Sequence, residues 1–589
     1  MTIQHISSIA IYETPFHFYV IGSDPSETRF CTLKIDRLNE SEFIVGEPNH
    51  EYTKADVGEL LATISSSSIV TPSEKWSTRR NPNPGLIRTL DKALGIIGAV
   101  KFLEGYYLLV VTKARVAASI GHHVIYKVED VSMIYLLASG SPVSADEQRY
   151  AKLFQTVDMT TDFYFSYTYD LSRNLQENVL KAKGLHFNKT SYSSEMTAEN
   201  KFVWNEYLLE PFRKNDVSKK WTVELVHGYV AYQIVELPFA KLTLAVLARR
   251  SSRYAGTRFL KRGTNFEGHV ANDVETEQIV WDMNSSPSLI TGRFSGFVQR
   301  RGSVPLFWSQ DPATRGVVGK PPIYIDLVEP HGLTTAAHFK ELRRKYSHPI
   351  MVINLVKRRE KRHHENLLHE QFLKTVKYLN EFRKPGRKID YISFDVAKCN
   401  KTGLVLPRLE QLGLKSVLRT GWFQSFPELM GHKIRRHPLL NSFDPLCSED
   451  GQLILQHGLA RTNCVDCLDR TNVAQYGIGR IALGFQLYGL GYVDEPWISV
   501  NGELCRAYED LFDEHGDTLA LQYAGSQLVH SIKTYKKTSA FQERSRDVIQ
   551  TISRYYSNTF NDFEKQNGIN LFLGIYKYVL FMLEFSLST

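Results

Sequence analysis

At 589 residues the chain is longer than one ordinary core accommodates, so two lobes or one large domain with insertions are expected. Hydrophobic residues make up 43% and charged residues 23%, which excludes a mostly disordered or fibrous protein; the net charge of +8 is too small to call for nucleic acid. Six cysteines exclude a disulfide scaffold, and with no signal peptide legible at Met1–Tyr12 the expected compartment is reducing and cytosolic.

The first third reads as strand-rich. Ile9–Tyr12, Phe16–Ile21, Phe30–Lys34, Gly95–Phe102 and Tyr106–Thr112 are short β-branched and aromatic runs punctuated by Gly, Asn and Asp. Ser65–Pro84 is polar and reads as a surface loop. Leu171–Glu177 begins a helical pattern, and the polar stretch Asn188–Asn200 is a candidate joint, with the boundary near residue 185. Beyond it, Leu242–Ala248, Ile323–Leu327, Met351–Leu355 and Ile389–Phe394 read as buried strands. Glu365–Phe382 carries apolar residues at helical spacing. The expected fold class is mixed α/β: a strand-rich N-terminal part, 1–185, packed on an α/β catalytic part, 186–589. No uncharged apolar run reaches the roughly 18–20 residues of a membrane span. Ile569–Leu587 comes nearest, but Lys577 and Glu584 interrupt it and a packed terminal helix is expected.

The informative segment is Arg461-Thr-Asn-Cys464-Val-Asp466-Cys467-Leu-Asp469-Arg470-Thr471-Asn472. Leu453–Leu459 before it reads as a strand, and the apolar run from Val473 onward as a buried helix. A cysteine, five residues and an arginine between a strand and a helix suit phosphoryl transfer to a thiolate. The amides of such a loop and the helix N-terminus stabilise the sulfur anion, and the same amides cradle phosphate oxygens. Arg470 then grips two oxygens with its planar fork while Cys464 attacks phosphorus in line. Asp466 and Asp469 are both candidates for the acid that protonates the leaving alkoxide, Asp466 being preferred. Thr471 is placed to hydrogen-bond the sulfur. Asn463, Val465, Cys467 and Leu468 complete the expected phosphate loop.

Competing readings exist for this and other features. Cys464 and Cys467 have no second Cys-x-x-Cys to complete a zinc site, and a thiol redox pair leaves Arg470 without a task. Arg249–Arg262 holds six basic residues and no acid; such a run usually marks a solvated face, with headgroup contact by Arg258 and Lys261 as the functional alternative. Lys357–Arg362 reads as an exposed helix start, with attraction for anionic lipid as the middle reading and a nuclear address or an RNA patch as the further alternatives. His364-Glu365 with His369 lacks metalloprotease spacing, and Gly477-x-Gly479 falls inside the helix after the loop. Phe307 and Trp308 read as core, and Asp311 as a residue lining or ordering the site.

Arg461–Asn472 resembles, at every specified position, the signature R-x-N-C-x-D-C-L-D-R-T-N of the Sac-domain phosphoinositide phosphatases. Arg249–Gly263, Val274–Gln278, Arg301–Asp311 and Gly516–Ser526 also resemble family blocks, so the resemblance covers nearly the whole chain. Phe102–Tyr107, Gly121–Asp130 and Phe163–Leu171 resemble the branch acting on phosphatidylinositol 3,5-bisphosphate. The resemblance implies an N-terminal Sac subdomain, a catalytic subdomain and removal of the 5-phosphate without a required cofactor, any magnesium dependence being indirect. It further implies peripheral attachment to the cytosolic face of endosomal, lysosomal or vacuolar membranes. The implied partners are the phosphatidylinositol 3-phosphate 5-kinase and a helical-repeat scaffold protein. A departure is the C-terminal side: the branch usually extends well past the block resembling Ile569–Gly574, whereas this sequence ends at Thr589 in an unfamiliar apolar tail. The alternatives are a phosphatase of broader phosphoinositide or protein substrates and a subunit whose main task is to hold the kinase complex together.

Overall fold

The computed structural model describes residues 3–67, 86–137, 143–185, 201–238, 240–310, 321–359, 365–425, 437–440, 443–500, 502–529, 532 and 562–576. Near the N-terminus, alternating apolar residues such as Ile9/Ile11, Phe18/Val20 and Leu33/Ile35 point to one face, as a period of two requires. They build a five-stranded antiparallel sheet in the order Val45–Gly46, Phe30–Asp36, His17–Ser23, Ser8–Glu13, Ile87–Ala93. That face packs on Ile96, Ala99, Leu108 and Val110 of the larger sheet.

The larger sheet begins as an antiparallel meander: β1 (Gly95–Lys101), β2 (Tyr106–Ile120), β3 (His123–Tyr135), β4 (Phe163–Phe165), β5 (Val226–Leu237), β6 (Ala240–Arg250), β7 (Val274–Asp282) and β8 (Phe294–Ser303). At β8 it changes character. β9 (Ile350–Asn354), β10 (Asp390–Ser393) and β11 (Leu459–Cys464) continue it as a parallel stretch in the order β8-β11-β9-β10. The boundary expected near residue 185 lies at the start of 186–200, outside the described residues. β4 before it and β5 after it pair directly, so one sheet runs through both expected lobes.

Both faces of the parallel stretch are covered, so its strands alternate between two cores. Val298, Val352 and Leu459 face α1 (Leu333–Tyr346) and α2 (Glu365–Glu381). Phe297, Ile353 and Ala460 face α3 (Val405–Thr420) and α4 (Asp469–Leu490). α2 leaves β9 toward one face and α4 leaves β11 toward the other. The carboxyl ends of these two neighbouring strands therefore flank a topological switch point, where α/β sheets open a crevice. Every residue of α4 from Thr471 to Leu490 is buried, between α3 and α5 (Glu503–Ala524), and some of its polar groups find partners on the sheet. Gln278 Nε2 donates to Gln486 Oε1 at 2.7 Å, and Gln299 Nε2 to the Gln475 carbonyl at 3.0 Å. Gly479 sits where an added Cβ would lie 2.0 Å from the Tyr508 hydroxyl, so this glycine serves close helix packing.

The structure shifts several expected elements. Leu453–Leu459 is not one strand: Leu453–Leu455 is a short accessory strand, and β11 starts at Leu459 and carries Cys464 as its last residue. Its polar residues Arg461, Thr462 and Asn463 are buried, which hid the strand from an apolar reading. Ile323–Leu327 is a strand, but one of a two-stranded hairpin with Phe307–Gln310, and Tyr324 and Leu327 are exposed rather than buried. Ser65–Ser67 ends a helix that begins at Lys54; the rest of the expected 65–84 loop, the 188–200 joint, Asp311 and the tail from 577 lie outside the described residues. α6 (Asp562–Phe572) packs beside Phe154 and Phe163. Among the described residues no helix is long and apolar enough to cross a membrane.

Candidate active site

β11 delivers Cys464 opposite Ser303 of β8, and Asn463 opposite Asn354 of β9. Asn463 Nδ2 donates to Asn354 Oδ1 at 2.5 Å, and the Leu355 N–H donates to the Asn463 carbonyl at 2.9 Å, which locks the two strand ends together. The Val465–Leu468 loop then climbs to α4, whose N-terminus aims its dipole at the loop. Cys467 adopts φ 57°, a left-handed conformation that costs a non-glycine residue about 1 kcal/mol or more and folds the loop back on itself. Its thiol donates to the Cys464 carbonyl at 3.6 Å.

Cys464 is fully buried, and burial pushes its thiol up to about 12 although Arg470 pulls the other way. Arg470, on the first turn of α4, is reached from the β9 side: Nη1 donates to the Leu355 carbonyl at 3.2 Å and to Glu365 Oε2 at 2.8 Å, and Nη2 to Glu365 Oε1 at 3.4 Å. Sequence reasoning missed Glu365, having met it only within a discarded metal pattern. The α2 N-terminal position, just after the strand that neighbours β11, was its only available signal.

The opposite flank of the loop is held by residues of 258–301. Arg258 Nη2 pairs with Asp466 Oδ2 at 2.9 Å, so the Asp466 carboxylate is engaged by a cation in this conformation. Arg262 Nη1 donates to the Val465 carbonyl at 2.8 Å, and Asn272 Nδ2 to the Asp466 carbonyl at 3.1 Å. Leu468 packs among Ala520, Tyr523, Ala524 and Leu528. Asp469 Oδ1 accepts the Val529 N–H at 2.7 Å, which fastens the start of α4 to the segment after α5. The Thr471 hydroxyl is buried without a hydrogen-bond partner among the described residues. Lys261, expected with Arg258 at the headgroup, lays its ammonium 4.7 Å from the Tyr254 ring centre and burial lowers its pKa. Among the described residues no three His, Cys, Asp or Glu side chains cluster to hold a metal ion.

The basic run is not a solvated face. Arg249 is 1% exposed and spans Glu275 and Glu277 at 3.1 and 2.6 Å; Arg250 and Arg262 are buried as well. Acids from β7, more than twenty residues away in sequence, neutralise Arg249, which a count of local charge does not register. Trp308 is buried, as expected, and its ring flanks Arg262.

Residues 94–401, just over half of the chain, match the SacI homology domain. The chain is 35% identical to the phosphatidylinositol-3-phosphatase SAC1 of Arabidopsis thaliana over 97% of its own length and 65% of that protein. It is 35% identical to the Arabidopsis phosphoinositide phosphatase SAC2 over 97% of its length and 72% of that protein. It is 34% identical to the polyphosphoinositide phosphatase of Schizosaccharomyces pombe over 96% of its length and 63% of that protein. The chain thus spans under two thirds of the first and third of these relatives. Matched over half its length by the domain and over nearly all of it by these relatives, the chain belongs to the SacI homology domain family.

Proposed function

We propose that this protein hydrolyses phosphate monoesters of phosphoinositides through a phosphocysteine on Cys464. The observation that carries the reading is the placement of Cys464 and Arg470 at either end of a strained loop between β11 and the N-terminus of α4, at the switch point of the parallel stretch. Once Arg258 releases Asp466, that carboxylate takes the Cys464 thiol proton; the thiolate attacks phosphorus, the P–O bond to the inositol ring breaks, and the leaving alkoxide takes the same proton from Asp466. Water then cleaves the S–P bond, returning inorganic phosphate and the thiolate. The three relatives are named as phosphoinositide phosphatases, which supports this substrate class.

Within that class the proposed substrate is phosphatidylinositol 3,5-bisphosphate and the proposed leaving group its 5-phosphate, on the strength of the Phe102–Tyr107 and Phe163–Leu171 blocks. Two relatives, from Arabidopsis and Drosophila melanogaster, are named phosphatidylinositol-3-phosphatases, so loss of the 3-phosphate is the competing outcome. The proposed setting is the cytosolic face of endosomal, lysosomal or vacuolar membranes, with a lipid kinase and a helical-repeat scaffold as partners. The test is phosphate release from liposomes bearing each phosphoinositide in turn, comparing wild type with Cys464→Ser and identifying the lipid product. Release from the 3,5-bisphosphate to leave the 3-phosphate, lost in the variant, is expected. Folded wild-type protein that releases nothing from any lipid would sink the reading. A buried thiol with Arg470 engaged by Glu365 favours a second reading, a subunit that supports its complex without turnover. Intact complex in cells carrying Cys464→Ser, lost on deletion, is its signature.

A further inference from the structure

We propose that Arg262, Asn272 and Arg301 are positioning residues that orient the anion-binding face of the loop by holding three consecutive peptide carbonyls. This rests on the phosphatase reading above. Arg262 Nη1 takes the Val465 carbonyl at 2.8 Å, Asn272 Nδ2 the Asp466 carbonyl at 3.1 Å and Arg301 Nη1 the Cys467 carbonyl at 3.4 Å. A trans peptide sets its N–H opposite its C=O. Drawing these carbonyls toward the β8 side therefore turns the N–H groups of residues 466 to 468 toward the β9 side. Arg470 stands on that side, against Leu355 and Glu365. Among the described residues the N–H groups of Cys467 and Leu468 have no acceptor. Successive inward amides facing a guanidinium form the kind of nest that binds a tetrahedral oxyanion.

Each holder is itself immobilised. Arg262 is caged by the rings of Phe259, Trp308 and Tyr523 at 5.5, 5.4 and 5.9 Å. Arg301 also reaches Asn472 Oδ1 and His515, tying it to α4 and α5. Asn272 sits at φ 49° and is 7% exposed. A neutral carbonyl is a poor partner for a buried cation, and Arg262 Nε and Nη2 and Arg301 Nε have no acceptor among the described residues. These partly uncompensated charges place positive potential behind the loop, where an incoming phosphate gains from it.

The test compares Asn272→Ala, which removes one donor without changing charge, with Arg262→Met and Arg262→Lys. Tungstate, a phosphate mimic, is titrated calorimetrically into each variant in a Cys464→Ser background, and hydrolysis of a short-chain soluble phosphoinositide is followed in the Cys464 form. A lost oxyanion donor costs on the order of 100-fold in turnover. Disturbing the loop indirectly is expected to cost about tenfold in kcat and in tungstate affinity for Asn272→Ala, more for Arg262→Met, with partial rescue in Arg262→Lys. Asn272→Ala should melt somewhat lower in tungstate-free buffer, because alanine is disfavoured at φ 49°, yet stay folded at the assay temperature, which separates positioning from folding; if Arg262→Met does not fold, Asn272→Ala decides alone. Folded Asn272→Ala with wild-type tungstate affinity and kcat overturns the proposal. Wild-type protein that binds tungstate but hydrolyses no phosphoinositide overturns the phosphatase reading and leaves the clamp to be judged on tungstate affinity.

Discussion

Arg470 and Glu365, 105 positions apart in sequence, form a two-pronged ion pair, Nη1 to Oε2 at 2.8 Å and Nη2 to Oε1 at 3.4 Å. A carboxylate here occupies the fork assigned to phosphate in the proposed reaction, since both present two oxygens at similar separation. Arg470 is 21% exposed and Glu365 8%, so the pair is largely desolvated.

Glu365→Gln should therefore leave a partly buried cation unneutralised. Breaking a buried pair costs about 3–5 kcal/mol, and the partial exposure of Arg470 reduces the expectation to about 1–3 kcal/mol. Tungstate should restore the loss, giving a larger anion-induced rise in melting temperature than in wild type. Equal rises in the two proteins would refute competition for the fork.

Cys464 should be a slow nucleophile in this conformation. Burial raises its pKa to about 12, so the thiol keeps its proton at neutral pH and thiolate accumulates only as pH climbs toward that value. Iodoacetamide labelling followed by peptide mass spectrometry should show Cys464 modified more slowly than exposed Cys447 at pH 7, with a rate still rising at pH 10. A plateau near pH 7 would mean that the resting loop already holds a thiolate.

Arg249 should matter to stability rather than to lipid binding. Arg249→Met leaves Glu275 and Glu277 buried beside each other without their shared cation. The expected loss is about 3–5 kcal/mol, read from urea unfolding. A fully stable variant with weakened liposome binding would return the residue to the headgroup role.

Asp562, at the start of α6, is buried with Oδ2 lacking a partner among the described residues, and burial raises its pKa to about 6 against the opposing pull of Lys565 and Arg258. A folded-state pKa above the unfolded value of about 3.9 contributes stability that is fully present below pH 4 and lost as pH rises through 6. Asp562→Asn should accordingly stabilise the protein by about 1–2 kcal/mol at pH 7.5 and have little effect near pH 4. Thermal melts across that range check both the sign and the window.

Much of this protein is legible in its residues alone. The spacing of Cys464 and Arg470 needs only a loop between a strand and a helix, and the alternation in the N-terminal strands needs only the period of a pleated chain. Both are local properties, so they survive without knowledge of the fold. Burial of Arg249 and Arg262, the engagement of Arg470 by Glu365 and the hold of Arg262, Asn272 and Arg301 on the loop are not local. Each joins segments from 26 to more than 200 positions apart. A run of arginines looks solvated until folding brings acids, rings and carbonyls to meet it. β11 itself was obscured for the same reason, because buried Arg461 and Asn463 find their partners on Ser303 and Asn354 of neighbouring strands. The sequence determined which groups are available for chemistry; only the tertiary structure decided which of them are already engaged, because the desolvation that governs a charge or a thiol is set by neighbours distant along the chain.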